Sequence, residues 1–247
     1  MASKYIFLSE ILVNSDRAEI AWDIWRNSHI DAMPDGSIRQ CYRGEEEPNR
    51  FLEMIAFENM ADIEQLITLK DSFSSSQLPP LMISDWHQQI FEIVEAAKPC
   101  KELLPDTNKL QLRYIEVPLS VHADYLQWRE DTIFEVVRNA PAIECFLAYH
   151  TLLSTQPGVM FFSGFEGDTY KYMQEIFKTP KYNKIVQEAG SKYIAGGENR
   201  QPRDRHWQAG RINPAPARDL PRTCARIANL ARLLHQPGFR LRVAFWI

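Results

Sequence analysis

The same order of strand-like and helix-like stretches occurs twice within the first 195 or so residues of this chain, and nothing else in the sequence constrains the fold as strongly. Tyr5–Val13 reads as a strand. Asp16–Asp31 reads as a helix with Ile20, Ile24 and Trp25 along one side, and Pro34-Asp35-Gly36 signals a turn. Ser37–Tyr42 and Arg50–Phe57 then read as strands around the acidic loop Gly44–Asn49. Asn59–Lys70 reads as a helix capped by Asn59, and Trp86–Glu95 as a fourth strand. After Pro99–Pro105 the order returns: strand Leu110–Val117, helix Ser120–Asn139, strands Ile143–Leu153 and Val159–Phe165, helix Asp168–Ala189.

An offset of 106 residues sets Ile6 against Leu112, Leu8 against Tyr114, Glu10 against Glu116, Ile11 against Val117, Ile20 against Leu126 and Trp22 against Trp128. An offset of 108 sets Phe57-Glu58 against Phe165-Glu166. A near-constant offset over a shared element order predicts two tandem βαββα repeats, residues 1–98 and 109–198, joined by a linker at 99–108. Each repeat gives an antiparallel sheet with helices on one face and an apolar second face. Two such sheets bury their apolar faces against each other, so the expected class is α+β.

The run PDGSIRQCYRGEEEPNRFLEMIAFENMADIEQL resembles the dimeric α+β barrel superfamily, in particular its antibiotic-biosynthesis-monooxygenase-like branch. The shared features are a Pro-Gly turn into a strand and an aromatic-acidic strand end leading into a helix. The resemblance covers about residues 5–195 and implies two ferredoxin-like repeats closing an α+β barrel, either within one chain as an internal pseudo-dimer or in a homodimer. It also implies a cofactor-independent monooxygenase-like activity on a small apolar or aromatic molecule. Haem-degrading members use an asparagine near the first strand with a tryptophan and a histidine. Here Glu10 and Glu116 stand in the first strands instead, which argues against that activity.

A ligand cavity in such a barrel lies between sheet and helices or inside the barrel. Glu10 is in phase with Ile6 and Leu8, and Glu116 with Leu112 and Tyr114. A carboxylate on an apolar face must be paired or hydrogen-bonded, and burial would raise its pKa toward the range of a general base. The competing expectation is a strand-end carboxylate bridged to an arginine. His29 and His150 are further acid/base candidates near neutral pH, with His87 beside Trp86 a weaker third. Tyr114, Tyr149 and Trp86 are the expected substrate-contacting aromatics, whereas Trp22 and Trp128 are expected to pack helix onto sheet. No HxH or HExxH spacing, glycine-rich phosphate loop, GxSxG elbow or Rossmann fingerprint occurs, so neither a metal site nor a cofactor site is expected.

Cys41, Cys100, Cys145 and Cys224 are far apart and form no CxxC pair, which fits a cytoplasmic protein. The N-terminus reads as a strand and not as a secretory signal, and no apolar run reaches the roughly 18 residues that span a bilayer. Residues 1–198 carry 18 Lys+Arg against 30 Asp+Glu, whereas residues 199–247 carry ten Arg, no Lys and two Asp. The acidic body speaks against nucleic-acid binding. The Arg/Pro-rich end includes a possible amphipathic stretch, Arg222–Leu234, and is expected to be a poorly ordered or non-native tail. It begins about where the second repeat's last strand is due. A non-catalytic small-molecule-binding or regulatory barrel is the main alternative to an enzyme, and nucleic-acid binding through the tail is the other.

Overall fold

The computed structural model describes residues 2–28, 33–74, 76–152, 158–195 and 203–210. In chain order the elements are β1 (Tyr5–Leu12), α1 (Ala18–Asn27), β2 (Ile38–Gly44), β3 (Arg50–Phe57), α2 (Ile63–Ser74) and β4 (His87–Lys98). They continue with β5 (Lys109–Glu116), α3 (His122–Arg129), α4 (Glu135–Asn139), β6 (Ile143–Thr151), β7 (Gly158–Phe165), α5 (Thr169–Tyr172), α6 (Pro180–Lys192) and β8 (Arg203–Ala209).

Antiparallel pairing joins the strands into one closed barrel in the order β1-β3-β2-β8-β5-β7-β6-β4, with β4 returning to β1. Each half has the same internal order, β4-β1-β3-β2 and β8-β5-β7-β6, and the halves meet where β2 pairs β8 and β4 pairs β6. The expected α+β barrel is therefore present, closed within a single chain. Arg222–Leu234 and Cys224 fall outside the described residues. No helix among the described residues is long and apolar enough to cross a membrane.

The eighth strand corrects the expectation of a tail from residue 199. Arg203–Ala209 pairs Leu110 with Trp207 and Leu112 with Arg205 on one side, and Gly44 with Trp207 on the other. Its sequence, RDRHWQA, is richer in arginine than residues 211–247, yet Trp207 is wholly buried inside the barrel.

Strand periodicity sorts the core into layers. Ile6 and Leu8 of β1, Leu52 and Met54 of β3, Leu110 and Leu112 of β5, and Leu147 and Tyr149 of β6 fill the interior together with Phe91, Phe162 and Trp207. An eight-stranded barrel is just wide enough to be filled by side chains, and this one is. Cys100 and Leu104 of the linker are buried in the same cluster, so residues 99–108 plug the barrel as well as connecting its halves.

The alternate residues face helices. Phe51 of β3 packs edge-on to Trp22 of α1, with ring centroids 5.1 Å apart, as expected of Trp22. Ile20, expected on the same side of α1, is instead 53% exposed; the buried stripe is Ala18, Ala21, Trp22 and Trp25. On the helix-facing side of β3, Glu53 is fully buried and ion-paired with Arg39 of β2. The other two guanidinium nitrogens of Arg39 donate to the carbonyls of Arg26 and Trp25 at 2.7 Å each. A cation at a helix C-terminus complements the dipole there, and the same guanidinium neutralises a carboxylate that could not be buried alone.

Two helices expected to be continuous are interrupted. Ser120–Asn139 contains a π-helical turn, Glu130–Phe134, between α3 and α4. Asp168–Ala189 divides into α5, a π-helical turn at Met173–Phe177, and α6. Pro180 occupies the first turn of α6 and Thr179 caps it by accepting from the Tyr182 N–H, which restarts the helix.

The closed ladder sets an expectation for truncation and for core mutation. A chain ending at Asn199 lacks β8, exposes unpaired edges on β2 and β5, and is expected to aggregate on expression or elute in the void volume of a sizing column. Trp207→Ala in the full chain should lower unfolding free energy by about 3–5 kcal/mol in denaturant titration. A cost below about 1 kcal/mol would mean that β8 does not close the barrel.

Candidate functional site

A cavity lies between the second half's sheet and its helices. Its floor is the outward face of three strands: Gln111, Arg113 and Ile115 of β5, Phe161 and Ser163 of β7, and Phe146 of β6. Its roof comprises Tyr125 of α3, Ile133 and Phe177 of the two π-helical turns, and Tyr182, Ile185, Val186 and Ala189 of α6. The cavity volume is about 30 Å3.

The lining is aromatic and aliphatic, with a few polar groups whose positions are fixed. Ser163 Oγ lies 2.7 Å from the Tyr172 hydroxyl, which donates to Gln111 Oε1 at 3.0 Å. Arg113 Nη1 donates to the Tyr182 hydroxyl at 2.5 Å, and its guanidinium stacks 4.9 Å from the Phe177 ring centroid. Among the described residues, no carboxylate lines the cavity.

His150 lies on the same outward face of β6 as Phe146 and Ala148. Its Nε2 is 3.1 Å from Nε2 of His122, the first residue of α3. One imidazole must donate and the other accept, so the geometry requires at least one neutral ring. Burial, then the neighbouring His122 and Arg129, push the His150 pKa down to about 4. Burial and Arg129 lower that of His122 as well. Both rings are therefore neutral near pH 7, and their surroundings make each a weaker base than a free imidazole.

The other expected site residues lie elsewhere. Glu10 does continue the inward phase of Ile6 and Leu8, but at the barrel's end, where it bridges Arg50 at 2.6 Å and Arg205 of β8; its side chain is 14% exposed. This is the strand-end ion pair. Glu116 is the last residue of β5, half-buried opposite Gly158. Tyr114 and Tyr149 belong to the barrel interior, on the opposite face of the sheet from the cavity. Tyr149 is wholly buried and donates to the Ser3 carbonyl at 2.8 Å. Tyr114 lies so close over Gly158 that a Cβ there would come within 2.2 Å of its ring. Trp86 packs with the α1 cluster of the first half. His29 lies outside the described residues.

The parity of β5 explains the difference. Ligand-facing aromatics were expected on the interior-facing even positions, whereas the cavity opens on the odd ones, Gln111, Arg113 and Ile115. His122 and His150 are 28 residues apart and share no local motif, so only the docking of α3 onto β6 reveals the pair.

The neutral pair has a measurable consequence for stability. A histidine at about 4 in the folded state and about 6.5 unfolded binds more proton when unfolded. Its contribution is complete above about pH 6.5 and is lost as pH falls through about 4. Urea unfolding at pH 7, 5.5 and 4.5 should show stability falling across this window, and His150→Gln should fall less steeply. Parallel profiles would show that His150 is solvated and protonates freely.

No family model and no curated protein sequence matches the chain. Among solved structures, an anthrone oxidase-like protein superimposes with a TM-score of 0.64 at 12% identity, covering 84% of this chain and 91% of its own. A candidate monooxygenase from Fusobacterium nucleatum gives 0.61 at 11% identity, covering 85% and 94%. A ferredoxin-fold protein from Listeria monocytogenes related to antibiotic biosynthesis monooxygenases gives 0.50 at 7% identity, covering 86% and 97%. At these identities the likeness is one of architecture: the chain has the ferredoxin-like α+β-barrel fold shared by these monooxygenase-like structures.

Proposed function

We propose that this protein binds a small, flat aromatic molecule in the cavity between β5–β7 and the helices, and acts on it as a monooxygenase-like enzyme that needs no cofactor of its own. The observation that carries this reading is the cavity: an aromatic and aliphatic slot with a few fixed polar groups and no carboxylate in its lining. Ring stacking and burial supply affinity there, and the polar groups supply orientation.

The chemistry needs a base that is neutral at the working pH. The His150–His122 pair is neutral there and lies on the same sheet face as Phe146 of the cavity floor; proton uptake by it has to be stabilised by the substrate anion, because burial disfavours the charged ring. Removing a proton from an electron-rich substrate leaves an anion that gives electrons to dioxygen readily. For anthrone, a probe suggested by the anthrone oxidase-like comparison, the ring methylene becomes a carbonyl and the second oxygen atom leaves as water. Glu10 has no part in this proposal, because its two arginine partners hold it as a barrel-end bridge.

A second reading, a non-catalytic binding barrel, is favoured by one observation: neither histidine lines the cavity itself. Oxygen uptake and quinone absorbance with anthrone, corrected for the rate in buffer, separate the two. The enzyme reading expects catalysed uptake that falls at least tenfold in His150→Gln with anthrone binding preserved, a modest share of what a general base contributes. Saturable anthrone binding without catalysed uptake would establish the binding barrel instead. No binding of anthrone or anthraquinone would reject both.

A further inference from the structure

Two cysteines distant in sequence meet inside the barrel. The last rung of the β4–β6 ladder pairs Lys98 with Phe146. Cys100 follows that rung on the linker, and Cys145 precedes it on β6, in the inward phase of Leu147 and Tyr149. Both are buried in the interior cluster, and their thiols are hydrogen-bonded to each other. Cys145 Sγ lies over Gly164, its opposite number on β7. A Cβ on Gly164 would come within 2.6 Å of that sulfur, 2.8 Å of Thr107 Oγ1 and 3.1 Å of Pro105 Cβ. The Cys145 side chain therefore faces the linker at two places, Cys100 and Pro105–Thr107.

The two thiols are not equivalent. The hydrogen bond from Cys100 holds the Cys145 thiol below its ordinary range against the effect of burial, helped by the Gly164 N–H and by Lys98. The same hydrogen bond, together with burial, pushes Cys100 up. Cys145 thus loses its proton first, and the thiolate is the reactive form, with a protonated thiol beside it. Cys41, by contrast, is pushed up to about 12 by burial. Cys100 and Cys145 are 5% and 3% exposed, so an oxidant the size of water can touch them, whereas Leu104 beside them on the linker has no exposed surface. Besides this burial, the linker is held by the Ser3 N–H, which donates to the Leu103 carbonyl at 3.1 Å, and by the Tyr42 hydroxyl, which donates to the Pro105 carbonyl at 3.2 Å. A bond at Cys100 would add a covalent tie to β6.

We propose that Cys100 and Cys145 are a modification site, at which hydrogen peroxide forms a disulfide that staples the linker to β6. The Cys145 thiolate attacks one peroxide oxygen and the O–O bond breaks. The departing hydroxide takes up a proton and leaves as water, and Cys145 becomes a sulfenic acid. The Cys100 sulfur then attacks the Cys145 sulfur: the S–S bond forms, the S–O bond breaks, and the Cys100 proton leaves with the hydroxide as a second water. The two thiols lose two electrons and the peroxide gains them. Nothing in this step depends on what the ligand cavity binds.

The test treats the reduced full-length protein with hydrogen peroxide, blocks the remaining thiols with iodoacetamide in urea, and maps the peptides by mass spectrometry. A Cys100–Cys145 crosslinked peptide, lighter by two hydrogens, should appear while Cys41 stays alkylated. The crosslink should raise the urea unfolding midpoint by about 1 M, and dithiothreitol should reverse both effects. In Cys100→Ser, Cys145 should halt at the sulfenic acid and react with dimedone. Both cysteines alkylated after millimolar peroxide would overturn the proposal, as would sulfinic acid at Cys145 of the unaltered chain with no crosslink. Mixed pairings that include Cys41 or Cys224 would mean that an unfolded chain had been oxidised, and would overturn it too. A crosslink that leaves the midpoint unchanged would overturn the stapling of the linker. If Cys100→Ser fails to fold, peptide mapping of the unaltered chain still decides.

Discussion

Two hydrogen-bond ladders, β2 with β8 and β4 with β6, turn a pair of four-stranded sheets into a barrel. Without them each sheet would have two open edges and one uncovered apolar face. With them the interior closes around a packed apolar cluster, the linker seals into it, and the alternate side chains of each strand face outward to a helix or to water. The cavity lies between that outward face and the helices α3 and α6. Its position depends on the ladders even though no residue of β8 or β2 lines it.

Several charged groups hold this frame. Glu53 with Arg39 ties the end of α1 to the sheet, and Glu10 ties β1 to both β3 and β8. In each case a buried or half-buried carboxylate is matched by guanidinium donors. Arg129 differs in being wholly buried among aromatic rings, with the Tyr125 hydroxyl beside it and a carboxylate partner, Glu95, shared with Arg138. A low-dielectric interior makes these matched pairs strong, and they stiffen the barrel.

Much of the fold was legible in the sequence, because repeated periodicity is a property of neighbouring residues. β1, β3, β5 and β7 fall close to where alternation places them, and the inward phase of Ile6, Leu8 and Glu10 was readable from parity alone. β8 was not legible, because a strand contributing one buried tryptophan among arginines and glutamine has too little alternation to stand out from an Arg-rich segment. The site was mostly illegible for a different reason. Which face of a strand holds a cavity depends on how the helices dock, and that decides between Tyr114 and Arg113, adjacent residues pointing opposite ways. The partnership of His122 with His150, and the burial of Arg129, arise only when α3 settles on β6.

Because the linker bearing Cys100 and Leu104 runs into the barrel and joins its halves covalently, closure is an intramolecular event. Folding of the barrel is therefore independent of protein concentration, unlike an assembly that must find its second half in solution. A barrel made from two identical chains repeats every substitution twice. Here the two halves are parts of one chain, so a position in one half can be altered while the other half stays as it is.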